Sequence, residues 1–252
     1  MGAAAMTALV DQTWTANPPR AEPAPTAQEG KSGEAGDLSF GGVLGGLAVS
    51  ADGVVFVADS RSGTIWRLSP HRTDRVREVV QESASDPGQR MLGPAGLALA
   101  PDGSLLVADT SGHRIWLVSA EGELSVRAGS VYGYRDGPAA EALFRFPSDV
   151  AIGPDSTIDV ADTGNDTIGT ISRDGIVGTL AGSIYDYGDG RGSAARLRHP
   201  RALAVDAAGS CFVADTANNT VRRIAPDGEV STVAGSPPGG DGDGVGTGAG
   251  LR

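Results

Sequence analysis

The tripeptide Val-Ala-Asp occurs four times, at 57–59, 107–109, 160–162 and 213–215, at intervals of 50, 53 and 53 residues. Ala-Gly-Ser recurs at 128–130, 181–183 and 234–236, again 53 apart. Two unrelated markers sharing one period mean that a single structural unit is repeated, which restricts the chain to solenoids, propellers or arrays.

Each unit reads alike. A short apolar run opens it: Gly46-Leu47-Ala48-Val49, Gly96-Leu97-Ala98-Leu99, Asp149-Val150-Ala151-Ile152 and Ala202-Leu203-Ala204-Val205. A turn follows, carrying Asp52-Gly53, Asp102-Gly103, Pro154-Asp155-Ser156 or Ala208-Gly209. A second run ends in Val-Ala-Asp, and a polar loop leads to a third, such as Ile65-Trp66-Arg67-Leu68 or Ile115-Trp116-Leu117-Val118. A further turn (Glu121-Gly122, Asp174-Gly175, Asp227-Gly228) precedes a fourth run, which ends at Ala-Gly-Ser in the last three copies. Runs of this length bounded by turn signals are strands, not helices. Asp-Gly suits tight hairpins because the turn needs positive φ. Four strands per unit, apolar on both faces, is the pattern of a β-propeller blade packed between two neighbours.

Composition agrees. Gly is 38 and Pro 15 of 252 residues, too turn-rich for a helical bundle, while 40% hydrophobic residues suffice for a core. One cysteine excludes a disulfide framework and a cysteine-based zinc site. No apolar run approaches the roughly 18 residues of a membrane helix, so no membrane partner is expected. A net charge of −11 argues against nucleic acid, which needs clustered Lys and Arg. The basic residues are scattered arginines and the single Lys31, as coding from a GC-rich genome would give. Residues 3–10 are apolar, but no positive charge precedes them and Asp11 follows, so they do not read as a secretory signal; a cytoplasmic location is favoured. Residues 1–41, rich in Pro, Ala, Glu and Gly, read as a low-complexity, disordered lead-in to a domain spanning 42–252.

The stretches Pro94 to Ile115, Pro147 to Ile168 and Pro200 to Val221 resemble the NHL-repeat family, with Gly45 to Leu68 a weaker copy that lacks the proline. The resemblance implies an all-β fold, an NHL-type β-propeller with blades at about 42–80, 92–130, 146–183 and 199–236. Residues 237–252 match the start of a further inter-blade connector. NHL propellers usually have six blades, so four imply an incomplete or open ring, completed by a homo-oligomer or by blades of a longer chain. Where the family pattern carries Asn-His, this chain has Ser62-Gly63, Gly112-His113, Asn165-Asp166 and Asn218-Asn219. Asp159 stands where its sisters are Phe56, Leu106 and Phe212, and reads as a degenerate or edge-exposed position. Cys211 aligns with core positions and reads as a buried thiol.

In propellers, the loops between second and third strands and the inter-blade connectors emerge on one face, where ligands usually bind. The connectors hold all four tyrosines, Tyr132, Tyr134, Tyr185 and Tyr187, at equivalent positions. Tyr and Arg dominate binding hot spots because they combine contact area with hydrogen bonds. The candidate binding set is therefore these tyrosines with Arg135, Arg191 and His199; packing of each tyrosine over a blade edge stays equally open. The repeated Asp59, Asp109, Asp162 and Asp215 each precede a turn and read as Asx-turn scaffold. A metal site of His113, Asp149 and His199 is conceivable but not preferred, and the tail at 239–248 lacks the ligand spacing of a calcium loop. No catalytic residues, metal or cofactor are expected. The preferred function is a protein- or peptide-binding scaffold. The alternatives are a metal-dependent propeller enzyme, gluconolactonase-like or peptidylamidoglycolate lyase-like, or a structural module of a longer protein.

Overall fold

The computed structural model describes residues 44–69, 76–79, 90–183 and 185–251; the expected lead-in over 1–41 lies outside the described residues. It contains four antiparallel sheets. The first runs Leu44–Val49 (β1), Val55–Asp59 (β2), Thr64–Leu68 (β3), Val76–Glu78 (β4), and the second Pro94–Leu99 (β5), Leu105–Asp109 (β6), Arg114–Val118 (β7), Leu124–Gly129 (β8). In the third, Gly137–Pro138 (β9) precedes Pro147–Ile152 (β10), Ile158–Asp162 (β11), Thr167–Ile171 (β12) and Ile176–Ala181 (β13). The fourth repeats that plan with Gly190–Arg191 (β14), Pro200–Val205 (β15), Cys211–Asp215 (β16), Thr220–Ile224 (β17) and Glu229–Gly235 (β18). These are β-propeller blades. β1 lies against β5, β5 against β10 and β10 against β15, while β15 and β1 make no comparable contact, so the four blades form an open arc.

The hairpins differ in detail from the tight turns expected. Gly53, Gly103 and Gly209 take φ of 81° to 86°, whereas the preceding Asp52, Asp102 and Ala208 do not enter the left-handed region. Ser50 N–H bonds Val54 O while Gly53 N–H bonds Ser50 O. One left-handed residue closing a turn is a three-residue hairpin with a glycine bulge. Ser156 takes the same role at φ 67° in the third blade.

Three apolar clusters fill the arc, one per interface. Phe56, Ala58 and Ile65 of blade one meet Leu97, Leu105, Val107, Trp116 and Val118 of blade two. Leu106, Ala108 and Ile115 of blade two meet Val150, Ile158, Val160 and Ile171 of blade three. Ala161, Ile168 and Ala181 of blade three meet Cys211, Val213 and Ile224 of blade four. Both faces of an inner blade are thus buried, which is why its strands do not alternate apolar and polar residues.

The connectors are structural elements in themselves. From β8 the chain crosses the outer edge of the next blade, where β9 pairs with β13 as a fifth strand, and β14 does the same for β18. It then returns to the axis carrying Ala142 and Phe144, or Ala195 and Leu197, into the inter-blade clusters.

Candidate functional site

The repeated aspartates hold the connectors down. Asp109 Oδ1 accepts the amides of Gly93 at 2.8 Å and Gly112 at 3.0 Å, and Oδ2 accepts the Trp116 indole N–H at 3.0 Å. Asp162 accepts the Arg145 amide and Asp215 the Arg198 amide, each at 2.7 Å and each across 17 residues. Their other oxygens accept Asn165 and Asn218 Nδ2, which also donate to the connector carbonyls of Gly133 and Asp186. The scaffold role expected for these carboxylates is therefore wider than a local Asx-turn: in blades three and four the main backbone partner is the incoming connector. Burial pushes the Asp162 carboxyl up to about 7 and raises Asp215 as well, against these hydrogen bonds.

A second tie joins neighbours. Thr110 Oγ1 donates to Pro147 O at 2.7 Å, and Thr163 Oγ1 to Pro200 O at 2.6 Å. His113, Asp166 and Asn219, at the position of the family's histidine, all sit at φ 55° to 57°. His113 Nδ1 accepts the Phe146 amide and Asp166 Oδ1 accepts the His199 amide, fixing the residue before each blade's proline.

Those ties position two aromatic clusters on the connector face. In the first, the Tyr132, His113 and Phe146 rings meet edge to face, and the Arg145 guanidinium lies 5.0 Å from the Tyr132 centroid. In the second, Tyr185 meets His199 edge to face, and the Arg198 guanidinium lies 4.1 Å from its ring. Tyr132 and Tyr185 remain 51% and 49% exposed, so each ring has one packed side and one open side. Burial lowers the His113 pKa, which keeps that imidazole neutral as an acceptor.

The remaining candidates are dispersed. Tyr134 and Tyr187 reach the outer part of their blades, where their hydroxyls bond Thr179 on β13 and Thr232 on β18. Arg135 is exposed and pairs through its backbone with Leu143. Arg191 runs to the opposite end of blade four, where it pairs with Asp227 in the β17–β18 turn at 2.7 Å. His113, Asp149 and His199 are not brought together: the Asp149 carboxylate accepts the amides of Val150 and Leu203 instead, binding β10 to β15. Among the described residues, no group of three or more His, Cys, Asp or Glu is placed to hold a metal ion.

Asp159 corrects its sequence reading. It is not edge-exposed but buried between blades three and four, facing Cys211. Burial pushes the Asp159 carboxyl, like that of Asp149, up to about 6 and pushes the Cys211 thiol well above its ordinary value. Cys211 is buried as expected.

Sequence reasoning missed Arg222. Its side chain is fully buried, pairs with Asp215 at 2.9 Å and Asp189 at 2.6 Å, and lies 5.0 Å from the Tyr187 ring. The signal was there: Arg222 is opposite Val213 as Trp116 is opposite Val107, so a cation stands where the repeat has an indole.

The opposite face, made by the turns within blades, includes shallow hollows. One of about 340 Å³ is lined by Pro101, Pro154 and Ala207 at the end of the innermost strands, and one of about 430 Å³ by Leu106, Arg127, Ile158 and Arg173. Neither includes an aromatic ring or a residue of the connector clusters.

Architecture and ties define a β-propeller of repeated four-stranded blades. The NHL repeat family matches residues 91–116, in blade two, and the fold around that match is a β-propeller. Among solved structures, virginiamycin B lyase from Staphylococcus aureus is 16% identical, with a TM-score of 0.56 over 77% of this chain and 56% of its own. An auxiliary nutrient binding protein from Bacteroides thetaiotaomicron is 18% identical, with a TM-score of 0.58 over 75% and 48%. A candidate gluconolactonase is 19% identical, with a TM-score of 0.52 over 78% and 65%. The chain spans about half the length of the first structures it matches. No curated protein matches the sequence.

Proposed function

We propose that the chain is a binding scaffold whose connector face takes a protein or peptide segment on the two aromatic–arginine clusters. The observation that carries this reading is the half-exposure of Tyr132 and Tyr185 at equivalent places, each with its inner side already fixed by an imidazole and a guanidinium. A ring held in place before binding loses little freedom on contact, so its buried area converts efficiently into affinity. Arg145 and Arg198 put positive charge beside both rings on a chain of net charge −11, which favours a segment pairing carboxylates with apolar or aromatic side chains.

Selection from a displayed peptide library tests this, with binding then measured on the wild type and a Tyr132→Ala/Tyr185→Ala variant. The expected result is acidic-aromatic peptides that lose roughly tenfold or more in affinity on the variant. Peptides that bind both proteins equally would overturn the assignment.

A metal-dependent enzyme is the second reading. It is favoured by the fold shared with a lyase and a candidate gluconolactonase, and by the Asp149 carboxyl near pKa 6 on an innermost strand. Stoichiometric calcium or zinc in the purified protein would support it; a metal-free protein whose peptide binding survives chelation would exclude it.

A further inference from the structure

The arc ends in two apolar faces that are copies of faces buried inside it. On the leading face of blade one, Leu47 is 62% exposed, whereas its counterpart Leu97 is 7% exposed against blade one. Val49 is exposed where Leu99 packs, and Trp66 is half-buried where Trp116 is sealed. On the trailing face of blade four, Phe212 is half-buried and Val233 exposed, where the counterparts Phe56 and Leu180 pack against a following blade.

The polar ties of blade four are likewise set for a neighbour. Thr216, equivalent to Thr110 and Thr163, donates to Ala214 of its own strand instead of to a proline carbonyl ahead. The tail repeats the connector path: Leu251 packs over Gly235 as Leu197 packs over Gly182. Gly244 and Val245 then stand where β9 and β14 clamp an outer strand, and Val245 is 95% exposed.

From this we infer that the trailing face of blade four, with its clamp at 244–245, docks the leading face of blade one of a second copy of this chain. The argument for that occupant is complementarity. Blade one's leading face is the repeat's own solution to packing on a trailing face, and among the described residues both faces leave apolar side chains, Leu47, Val49 and Val233, exposed. The outer strand β4 of the incoming blade would occupy the place that β13 and β18 hold under β9 and β14. The contact is heterologous, so it propagates unless the arcs close. Two arcs of four blades joined at both ends make an eight-bladed ring, within the range propellers adopt.

The test is light scattering on the purified 252-residue chain and on two variants, Leu47→Asp on the leading face and Val233→Asp on the trailing face. Both sites are exposed in the single chain, so circular dichroism should show both variants folded. The wild type is expected at twice the chain's 25.4 kDa, or at a higher closed multiple, and each variant alone at the single-chain mass. Burying an unpaired carboxylate should weaken its junction roughly tenfold or more. An equal mixture of the variants retains one sound junction, between the trailing face of the Leu47→Asp chain and the leading face of the Val233→Asp chain, and should return to the two-chain mass. A monomeric wild type overturns the inference. So does an assembly that survives one variant, which would mean a symmetric face-to-face contact, or a mixture that stays monomeric.

Discussion

The interface between blades two and three and the one between blades three and four occupy the same strand positions but are filled by different chemistry. In the first, Leu106 packs with Ile158, and Gly169 leaves room that the Phe144 ring fills. In the second, Asp159 faces Cys211, and Arg222 lies buried among Asp215, Asp189 and Tyr187. The hydrogen-bond skeleton is nonetheless identical: aspartate to connector amide, threonine to proline carbonyl. Backbone ties thus define the blade, and the interior varies around them. That is how one repeat tolerates a tryptophan, a glycine or an arginine at a single position.

The largest effect should come from the polar interface. Arg222→Ala removes a buried cation and leaves Asp215 uncompensated, a loss of about 3–5 kcal/mol in urea unfolding. A loss below about 1 kcal/mol would mean that the pair contributes little beyond its own desolvation.

Asp159→Leu converts the same interface toward the apolar one. The folded chain holds the Asp159 proton up to about pH 6, whereas the unfolded group releases it near 3.8. A carboxyl raised on folding contributes its stability at low pH and loses it as pH rises through the folded value. Asp149 and Asp162, raised to about 6 and about 7, act in the same direction. The wild type should therefore unfold more easily at pH 7.5 than at pH 5, and Asp159→Leu should gain about 1–3 kcal/mol at pH 7.5 while flattening that slope. An unchanged slope would place the sensitivity at the other raised carboxyls, Asp149, Asp162 and Asp215.

The smallest effect separates inner from terminal blades. Thr163→Val removes the hydroxyl bonded to Pro200 O and should cost about 1 kcal/mol, while Thr216→Val, whose hydroxyl reaches no following blade, should cost near zero in the single-chain state. Equal costs would mean that the threonines act within their own blades.

The period, the strands and the buried character of Cys211 were legible because each is a local pattern repeated. The scaffold role of the aspartates was legible in kind but not in partner, since an amide 17 residues upstream leaves no mark on the turn beside Asp162 or Asp215. The edge strands β9 and β14 were invisible because Gly-Pro and Gly-Arg carry no alternation. For the same reason Arg191 was grouped with the tyrosines, although its connector carries it to the Asp227 turn. Asp159 stood out against its apolar sisters, yet its burial depended on which residue of the next blade it met.

The functional claim is that the connector face, not the hollowed turn face, receives the ligand. Hydrogen–deuterium exchange with a selected acidic-aromatic peptide tests it directly. The account predicts slowed exchange at 131–135 and 185–187, and at the amides of Arg145 to Phe146 and Arg198 to His199. Protection centred on Gly153, Ser156, Asp206 and Ala207 would contradict it and move the site to the opposite mouth of the arc.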